Sequence, residues 1–321
     1  MPRDIRSIAL SRIDAEDVTY RISTERDDRL SESIRSIGQL HPIRLMDCGG
    51  PLIILSGFRR IAACRLLGHT EIIARVTPER DLSDRCRCLL AIGDNSTQRS
   101  LNPVEMARSV KLLRDRITDP GVVRECLNAL MLPDNPAWLD MQLALAALPP
   151  DIQQLLQRSV VGTAMALELG TLEPADGETL GRLFADLRLS LSRQREVLGI
   201  CRDLSRRDGQ TIGQILEGPE LRGLLDNADT DIGAKTHGLR RQLKRMRYPG
   251  LVAAEAEFNK CLKLLTLGQG IRLDAPPFFE GTAYTMTLSF TSIEALNRQL
   301  EELKEKVSSR HLSRILDRSA D

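Results

Sequence analysis

The chain has 321 residues, enough for two or three domains, and its 45 basic and 44 acidic side chains leave a net charge of +1. Hydrophobic residues make up 42% of the sequence and aromatic residues 3%, so Leu, Ile, Val and Ala must fill the cores, which favours helices. The near-neutral charge excludes a protein that attracts nucleic acid over its whole surface, and no apolar run is long enough for a membrane span. Charges throughout the first residues argue against an export signal, so we expect a cytoplasmic protein.

The first hundred residues alternate short strands with helices, whereas the chain becomes helical from about residue 82. Residues 218–238 are rich in Gly and Asp, and a last unit follows with the alternating strand "AYTMTLSF" and a closing helix. We therefore predict an α+β fold. Its parts are a small N-terminal α/β domain (1–80), a helical domain (81–217), a linker (218–238) and a small C-terminal α/β unit (239–321) with a basic helix, a strand and a closing dimerisation helix.

The stretch "LSGFRRIAACRLLG" places a glycine and two arginines where a strand passes into a helix. The N–H groups at a helix N-terminus have no intrahelical partners, and the helix dipole is positive there. Gly57 would let an anion approach the backbone, and Arg59 and Arg60 add charged donors suited to phosphate. The pattern predicts an anion site, although the same three residues are also common at surface helices that bind nothing.

Two blocks of sequence narrow this prediction. "RLSESIRSIGQLHPIRLMDCGGPLIILSGFRRIAACRLLGHTEIIARV" and "DNSTQRSLNPVEMA" occur in this order at compatible spacing. Together they resemble the ParB (ParB/RepB-like) partition protein family, in which the corresponding motifs read "GERR" and "ENxQRxDLNPxExA". The resemblance covers roughly residues 5–170 and includes a degenerate helix-turn-helix region.

The resemblance implies a domain that binds CTP with Mg²⁺ and closes a dimeric clamp on DNA. Gly57, Arg59 and Arg60 would contact the triphosphate, while Asp94 and Asn95 occupy the positions that serve the metal and the phosphates. Phe58 replaces the glutamate of "GERR", and the arginine of "ENxQR" aligns with Gln98. We therefore expect at most weak CTP hydrolysis, assign no catalytic residue and exclude a conventional hydrolase.

DNA reading is the weaker part of the resemblance. "PAWLDMQLALAALPP" would be the recognition helix, yet the segment offers Asp134, Asp140 and Gln142 for such contacts, and residues 125–157 contain no Lys or Arg. A helix that reads the major groove needs donors for bases and cations for phosphates. The more basic stretch is "LRRQLKRMR", which we predict either to contact DNA phosphates or to be a solvated helix face. Its cations are Arg240, Arg241, Lys244, Arg245 and Arg247.

The leading hypothesis is a nucleotide-responsive, nucleoid-associated partition protein that dimerises through its closing helix, with DNA and a ParA-like ATPase as partners. The apolar residues of that helix recur every three or four positions, a spacing suited to helix pairing. They are Ile293, Leu296, Leu300, Leu303 and Val307. The main alternative is a protein–protein adaptor that has lost DNA reading and nucleotide hydrolysis. A phosphotransfer or nuclease enzyme would need a carboxylate beside Gly57, where Phe58 stands.

Overall fold

The structure, a computed structural model, describes residues 5–23, 28–97, 99–279, 281 and 283–317. The chain divides into two compact units, Met1–Gln194 and Arg195–Asp321. The first unit contains β1 (Ile5–Ala9), α1 (Asp28–Ile37), β2 (Ile43–Asp47), β3 (Ile53–Ser56), α2 (Phe58–Leu66), β4 (Glu71–Pro78), α3 (Asp84–Ser96), α4 (Pro103–Arg116), α5 (Pro120–Ala129), α6 (Pro136–Ala146), α7 (Pro150–Gln157), α8 (Thr163–Gly170) and α9 (Pro174–Asp186). The helix α10 (Leu191–Asp208) runs into the second unit, which continues with α11 (Ile212–Leu216), α12 (Pro219–Leu225), α13 (Ile232–Arg247), α14 (Pro249–Leu265), β5 (Ile271–Asp274), β6 (Thr285–Leu288), α15 (Ile293–Val307) and α16 (Arg310–Asp317).

The N-terminal strands form a mixed sheet in the order β1-β4-β2-β3. Strands β2 and β4 are parallel, and the other neighbours are antiparallel. Ile43 and Leu45 of β2 are fully buried together with Ala74 of β4, and Ile61 of α2 packs against the same core. The sheet, the helical region after it and the small C-terminal sheet confirm the predicted α+β class.

Gly57 makes the turn from β3 into α2, and two features require a glycine there. Its φ of 106° lies in the region that other residues rarely adopt. A Cβ atom at this position would also lie 2.7 Å from the Cβ of Ile43 and 3.3 Å from its Cα, and would meet the Ile43 Cγ2 as well. The start of α2 is therefore pressed against strand β2 with no room for a side chain.

The helix α4 begins with a capping box formed by Asn102 and Glu105. The side-chain oxygen of Asn102 accepts hydrogen bonds from the N–H groups of Val104 and Glu105, at 3.0 Å each, and the Glu105 carboxylate accepts the Asn102 N–H at 3.1 Å. Glu105 also accepts two hydrogen bonds from the Arg99 guanidinium at 2.6 Å each. Its side chain is only 2% exposed, so one buried carboxylate fixes both the helix start and the segment before it.

The second unit differs from the expected arrangement at residues 218–238, because this segment contains α12 and the beginning of α13 rather than a linker. Pro219 occupies the first turn of α12, and the Asp231 side chain caps α13 by accepting the Ala234 N–H at 2.9 Å. The Gly and Asp residues thus mark helix ends. The division between the compact units also falls after residue 194 and not at residue 217.

The C-terminal part pairs β5 with β6 antiparallel, and its small core includes Cys261, Leu265 and Leu312 from α14 and α16. In the part of the chain that the structure describes, no helix combines the length and the apolar character needed to cross a bilayer.

We expect Glu105→Ala to lower the free energy of unfolding by about 3 kcal/mol, because it removes a buried carboxylate that satisfies Arg99 and the Asn102 N–H. The matched control is Glu178→Ala, which removes an exposed pair with Arg182 at 2.7 Å and should cost less than about 0.5 kcal/mol. Urea unfolding followed by circular dichroism measures both. Equal losses would contradict the structural role of Glu105.

We expect Gly57→Ala to destabilise the protein by about 3 kcal/mol, since the new methyl group adds a clash with Ile43 to the backbone strain. Gly68→Ala is the control: Gly68 also has a positive φ, 75°, but a Cβ atom there has no neighbour within 4 Å. It should cost about 1 kcal/mol from strain alone. Thermal and urea unfolding compare the two variants, and a Gly57→Ala loss no larger than the control would refute the clash.

Candidate nucleotide site and nucleic-acid surfaces

The predicted anion site lies where β3 passes through Gly57 into α2. Arg59 and Arg60 occupy the first turn of α2, and no side chain caps its N-terminus. Phe58, between them and the glycine, packs partly buried against the N-terminal core. The residue that replaces the glutamate of the family motif therefore contributes to folding and brings no negative charge to the site.

Asp94 of α3 is the acidic centre of this site. Its Oδ2 accepts a hydrogen bond from the Ser56 hydroxyl at 2.5 Å, at the end of β3. The Arg44 Nε lies 3.6 Å from its Oδ1, and the Arg60 Nη2 lies 3.7 Å from its Oδ2. The side chains are 27% exposed at Arg44, 12% at Arg60 and 17% at Asp94, so the two ion pairs are largely shielded from water. The fold thus brings the block around Gly57 and the block that begins with Asp94 together at the Asp94 carboxylate.

Arg60 is held from two sides. Its Nη1 donates to the carbonyl oxygens of Pro42, at 3.0 Å, and His41, at 3.5 Å, in the segment that leads into β2. Burial lowers the pKa of Arg60, the Asp94 carboxylate opposes this shift, and the nearby Arg44 lowers the pKa further. The guanidinium is therefore an oriented, partly desolvated cation, which is the form that binds phosphate most strongly.

The other members of the second block are engaged elsewhere. The Asn95 side-chain amide donates to the Ala91 carbonyl oxygen at 2.8 Å, one turn earlier in α3. Arg99 forms its paired hydrogen bonds with Glu105, and Gln98 lies outside the described residues. Asn95 would have to break its contact within the helix to reach a phosphate, whereas Arg99 serves the start of α4.

The electrostatics of this site favour an anion. Two arginines flank a single carboxylate, and a third, Arg59, lies on the same turn of α2 as Arg60. Within the described residues no group of three or more His, Cys, Asp or Glu side chains forms a metal site. A divalent cation would therefore bind here through Asp94 only if phosphate oxygens supplied further ligands.

The predicted helix-turn-helix segment forms α5 and α6, but its polar groups are poorly placed to read bases. Gln142 is buried in α6 with Leu139 and Leu145, and Asp134 forms an ion pair with Arg124 at 3.3 Å. Asp140 remains exposed. Of the three polar groups that the sequence offers for base contact, Gln142 is therefore unavailable, because the 3.6-residue period places position 142 on the core side of the helix.

The five cations of "LRRQLKRMR" lie on α13, but they do not form one open flank. Arg240 and Lys244 contact the Glu196 carboxylate at 2.7 and 3.4 Å, and Arg247 contacts Asp203 at 2.5 Å. Burial by itself would raise the pKa of Glu196. Hydrogen bonds and charge interactions with Arg240 and Lys244 outweigh this effect and lower the pKa.

Arg241 and Arg245 are exposed one turn apart on α13. The predicted patch is thus partly neutralised by α10, and these two arginines are its remaining open cations for phosphate contact.

Sequence reasoning missed Arg44 and Ser56, which complete the surroundings of Asp94. Arg44 sits in β2 between the buried Ile43 and Leu45, so a polar residue is expected there whether or not it binds anything. Ser56 is buried at 2% exposure. Its position directly before Gly57 was the only feature of the sequence that could have indicated that it belongs to the site.

The chain has named relatives among bacterial partitioning proteins. It is 32% identical over 157 residues to the chromosome-partitioning protein Spo0J of Thermus thermophilus, an alignment that covers 49% of this chain and 55% of the relative. It is 27% identical over 251 residues to the chromosome-partitioning protein ParB of Myxococcus xanthus, covering 75% and 79%. The chain thus spans only about half the length of the first of these relatives.

Solved structures of ParB from Caulobacter crescentus are also similar in outline. The C-terminally truncated protein complexed to the centromeric parS site is 20% identical with a TM-score of 0.31, covering 59% of this chain and 96% of that one. The form complexed with CTP-gamma-S is 23% identical with a TM-score of 0.26, covering 57% and 99%. At these TM-scores neither likeness supports a statement about this chain.

A family model also matches the N-terminal domain of the chain. The model of the ParB N-terminal domain matches residues 2–96, which include the sheet, the Gly57 turn and Asp94. Residues 2–96 therefore match the ParB N-terminal domain, and the chain is similar to proteins named as ParB and Spo0J partitioning proteins.

Proposed function

We propose that this chain is a DNA-associated partition protein whose N-terminal domain binds CTP and whose dimer closes around DNA. The match of residues 2–96 to the ParB N-terminal domain and the names of the relatives support partitioning as the biological setting. The CTP complex belongs to the Caulobacter protein, so the nucleotide is a proposal for this chain. A ParA-like ATPase is part of this proposal as a protein partner.

The observation that carries the nucleotide proposal is the cationic surroundings of Asp94 beside an uncapped helix start. Arg44 and Arg60 lie within 3.7 Å of one carboxylate, and Gly57 leaves the beginning of α2 without a side chain. A triphosphate would bring several negative charges to a place with more arginines than acids. Nucleotide binding would then compete with Asp94 for Arg44 and Arg60, which couples the ligand to the position of α3.

Mg²⁺ fits this proposal as a partner of the nucleotide. Magnesium commonly binds through one or two carboxylates together with phosphate oxygens, and Asp94 supplies one carboxylate. Because Arg44 and Arg60 already compensate that carboxylate, the metal requires the charge of the phosphates to bind next to it. Asp94 and the phosphate oxygens would hold the ion, which would neutralise phosphate charge.

Dimerisation is supported by the apolar residues of α15. Ile293, Leu300 and Val307 recur every seven residues and are 73%, 41% and 63% exposed. The helix is attached to its own unit by polar contacts on another side, where Gln299 donates to Ser289 O at 2.9 Å and Glu302 accepts the Gly268 N–H at 2.6 Å. An exposed seven-residue apolar repeat is typical of a helix that pairs with a second copy.

The adaptor remains the second candidate, and α6 is the observation that favours it. The described surface of α6 exposes Pro136, Ala137, Asp140 and Ala144, with no cation among them. Such a surface suits contact with another protein better than contact with a polyanion. The two candidates differ in one measurable property, since only the clamp requires DNA binding that weakens with salt.

We expect the wild-type protein to bind CTP in the presence of Mg²⁺ more tightly than ATP or GTP in isothermal titration calorimetry. Arg59→Ala should weaken CTP binding about tenfold or more, because it removes a charged donor at the phosphates. Arg65→Ala is the matched control, since it removes an exposed arginine from the last turn of the same helix. Its affinity for CTP should equal that of the wild type.

Two results would contradict the nucleotide proposal. Absence of binding for all three nucleotides would leave the adaptor ahead, and equal weakening by both substitutions would show that the effect is one of overall charge. Thermal unfolding of each variant confirms that the binding difference does not come from loss of folding.

We expect Leu300→Glu to convert a dimer into a monomer in sedimentation equilibrium, because a carboxylate would be buried at the paired surface of α15. Arg298→Glu introduces the same side chain at an exposed position on the opposite face of the helix and should leave the dimer intact. A monomeric wild type, or a Leu300→Glu variant that stays dimeric, would exclude α15 as the dimer contact.

A further inference from the structure

The first unit contains a groove that neither family motif includes. It has a volume of about 640 Å³ and lies among three parts of the unit: residues 19–22, the outer side of α4, and the segment from the end of α6 to α7. Its lining carries four cationic side chains and one acidic one, Asp115. The cations are Arg21, Arg108, Lys111 and Arg116. A local charge of +3 in a protein with a net charge of +1 makes this groove a distinct electropositive surface.

Two of the cations are held in place by the protein. The Arg108 Nη2 donates to the Gln153 side-chain oxygen at 3.0 Å, and its Nη1 donates to Ser23 O at 3.3 Å. The guanidinium of Arg116 lies 5.7 Å from the centre of the Tyr20 ring and donates to the Thr19 hydroxyl at 3.3 Å. Arginines fixed in this way lose little conformational entropy when they bind an anion.

The other two cations of the groove are exposed. Arg21 and Lys111 both project into water at the groove, where Lys111 forms an exposed pair with Asp115 at 2.7 Å. An exposed lysine–carboxylate pair of this kind contributes little energy, so an incoming anion can displace the carboxylate at small cost.

The shape of the groove suits an extended chain of phosphates. Arg108, Lys111 and Arg116 are successive points along α4, spread over about 12 Å at the helical rise. Ala146 and Pro150 also line the groove, and their short side chains leave room for a nucleic-acid strand beside the cations. A positively charged groove of this kind can track a nucleic-acid backbone.

The groove also lies beside the segment where cations are missing. Residues 125–157 contain no Lys or Arg, yet Ala146, Pro150 and Gln153 of that segment border the groove, whose cations come from α4 and from residue 21. The positive charge that α6 lacks is therefore supplied next to it by another part of the same unit.

We propose that this groove binds the phosphate backbone of DNA, with Arg21, Arg108, Lys111 and Arg116 as its contacts. This inference rests on the proposed association with DNA and names the surface that would make it. The contact is independent of base sequence, because every cation here would face phosphates and not base edges.

The test is the salt dependence of DNA binding by the full chain, measured by fluorescence anisotropy with a labelled duplex. Arg21→Ala and Lys111→Ala should each reduce the slope of log K against log salt by about 0.9, and the double variant by about 2. Arg114→Ala is the matched control: it removes an exposed arginine from α4 that lies outside the lining of the groove. Its slope should equal that of the wild type. Circular dichroism and thermal unfolding verify that all variants are folded.

The outcomes separate this inference from the proposed function. If the wild type binds DNA and the groove variants keep its slope, the groove assignment is wrong while DNA association stands. If the wild type shows no salt-dependent binding, both fail. A parallel titration with inorganic pyrophosphate identifies the other source of phosphate: loss of pyrophosphate binding in the double variant, with unchanged DNA binding, would show a small-anion site and overturn the proposal.

Discussion

The carboxylate of Asp94 is the interaction on which the candidate nucleotide site depends. It accepts the Ser56 hydroxyl at 2.5 Å and lies 3.6 and 3.7 Å from the guanidinium groups of Arg44 and Arg60, so that β2, β3, α2 and α3 meet at one charge. Arginine stays protonated under all physiological conditions, so two cations held close together need a negative partner. Asp94 provides it within the protein, and an arriving triphosphate would provide it from outside. The site is for this reason suited to switching between two charge partners.

The same principle organises the arginines elsewhere in the chain. Arg99 is paired with the buried Glu105, and Arg240 with Glu196, so these cations hold helices in place. A chain with 45 basic and 44 acidic side chains can be nearly neutral overall and still hold positive places wherever cations locally outnumber acids. The groove along α4 is such a place. This distribution explains how a protein with a cation-free α6 can remain compatible with DNA as a partner.

The comparison of sequence and structure shows which patterns are informative. The Asn102–Glu105 capping box follows from the sequence alone because it is a local interaction between residues three positions apart. Residues 218–238 were misinterpreted because Gly, Pro and Asp mark helix ends and linkers alike. The five cations of α13 appeared as one patch because sequence spacing gives their helical face but not the carboxylates of α10 that lie against it.

The sequence by itself determined the α+β class, the family of residues 2–96 and the Gly57–Arg60 segment as the candidate anion site, because each depends on local periodicity or on contiguous motifs. Only the tertiary structure decided which charges meet. It brought Arg44 and Ser56 to Asp94, directed Gln142 into the core, and placed Arg21 of an N-terminal segment at the same groove as Lys111 of α4. Electrostatic energy depends on distance in space. Residues 50 or 90 positions apart therefore acquire their partners only when the chain has folded.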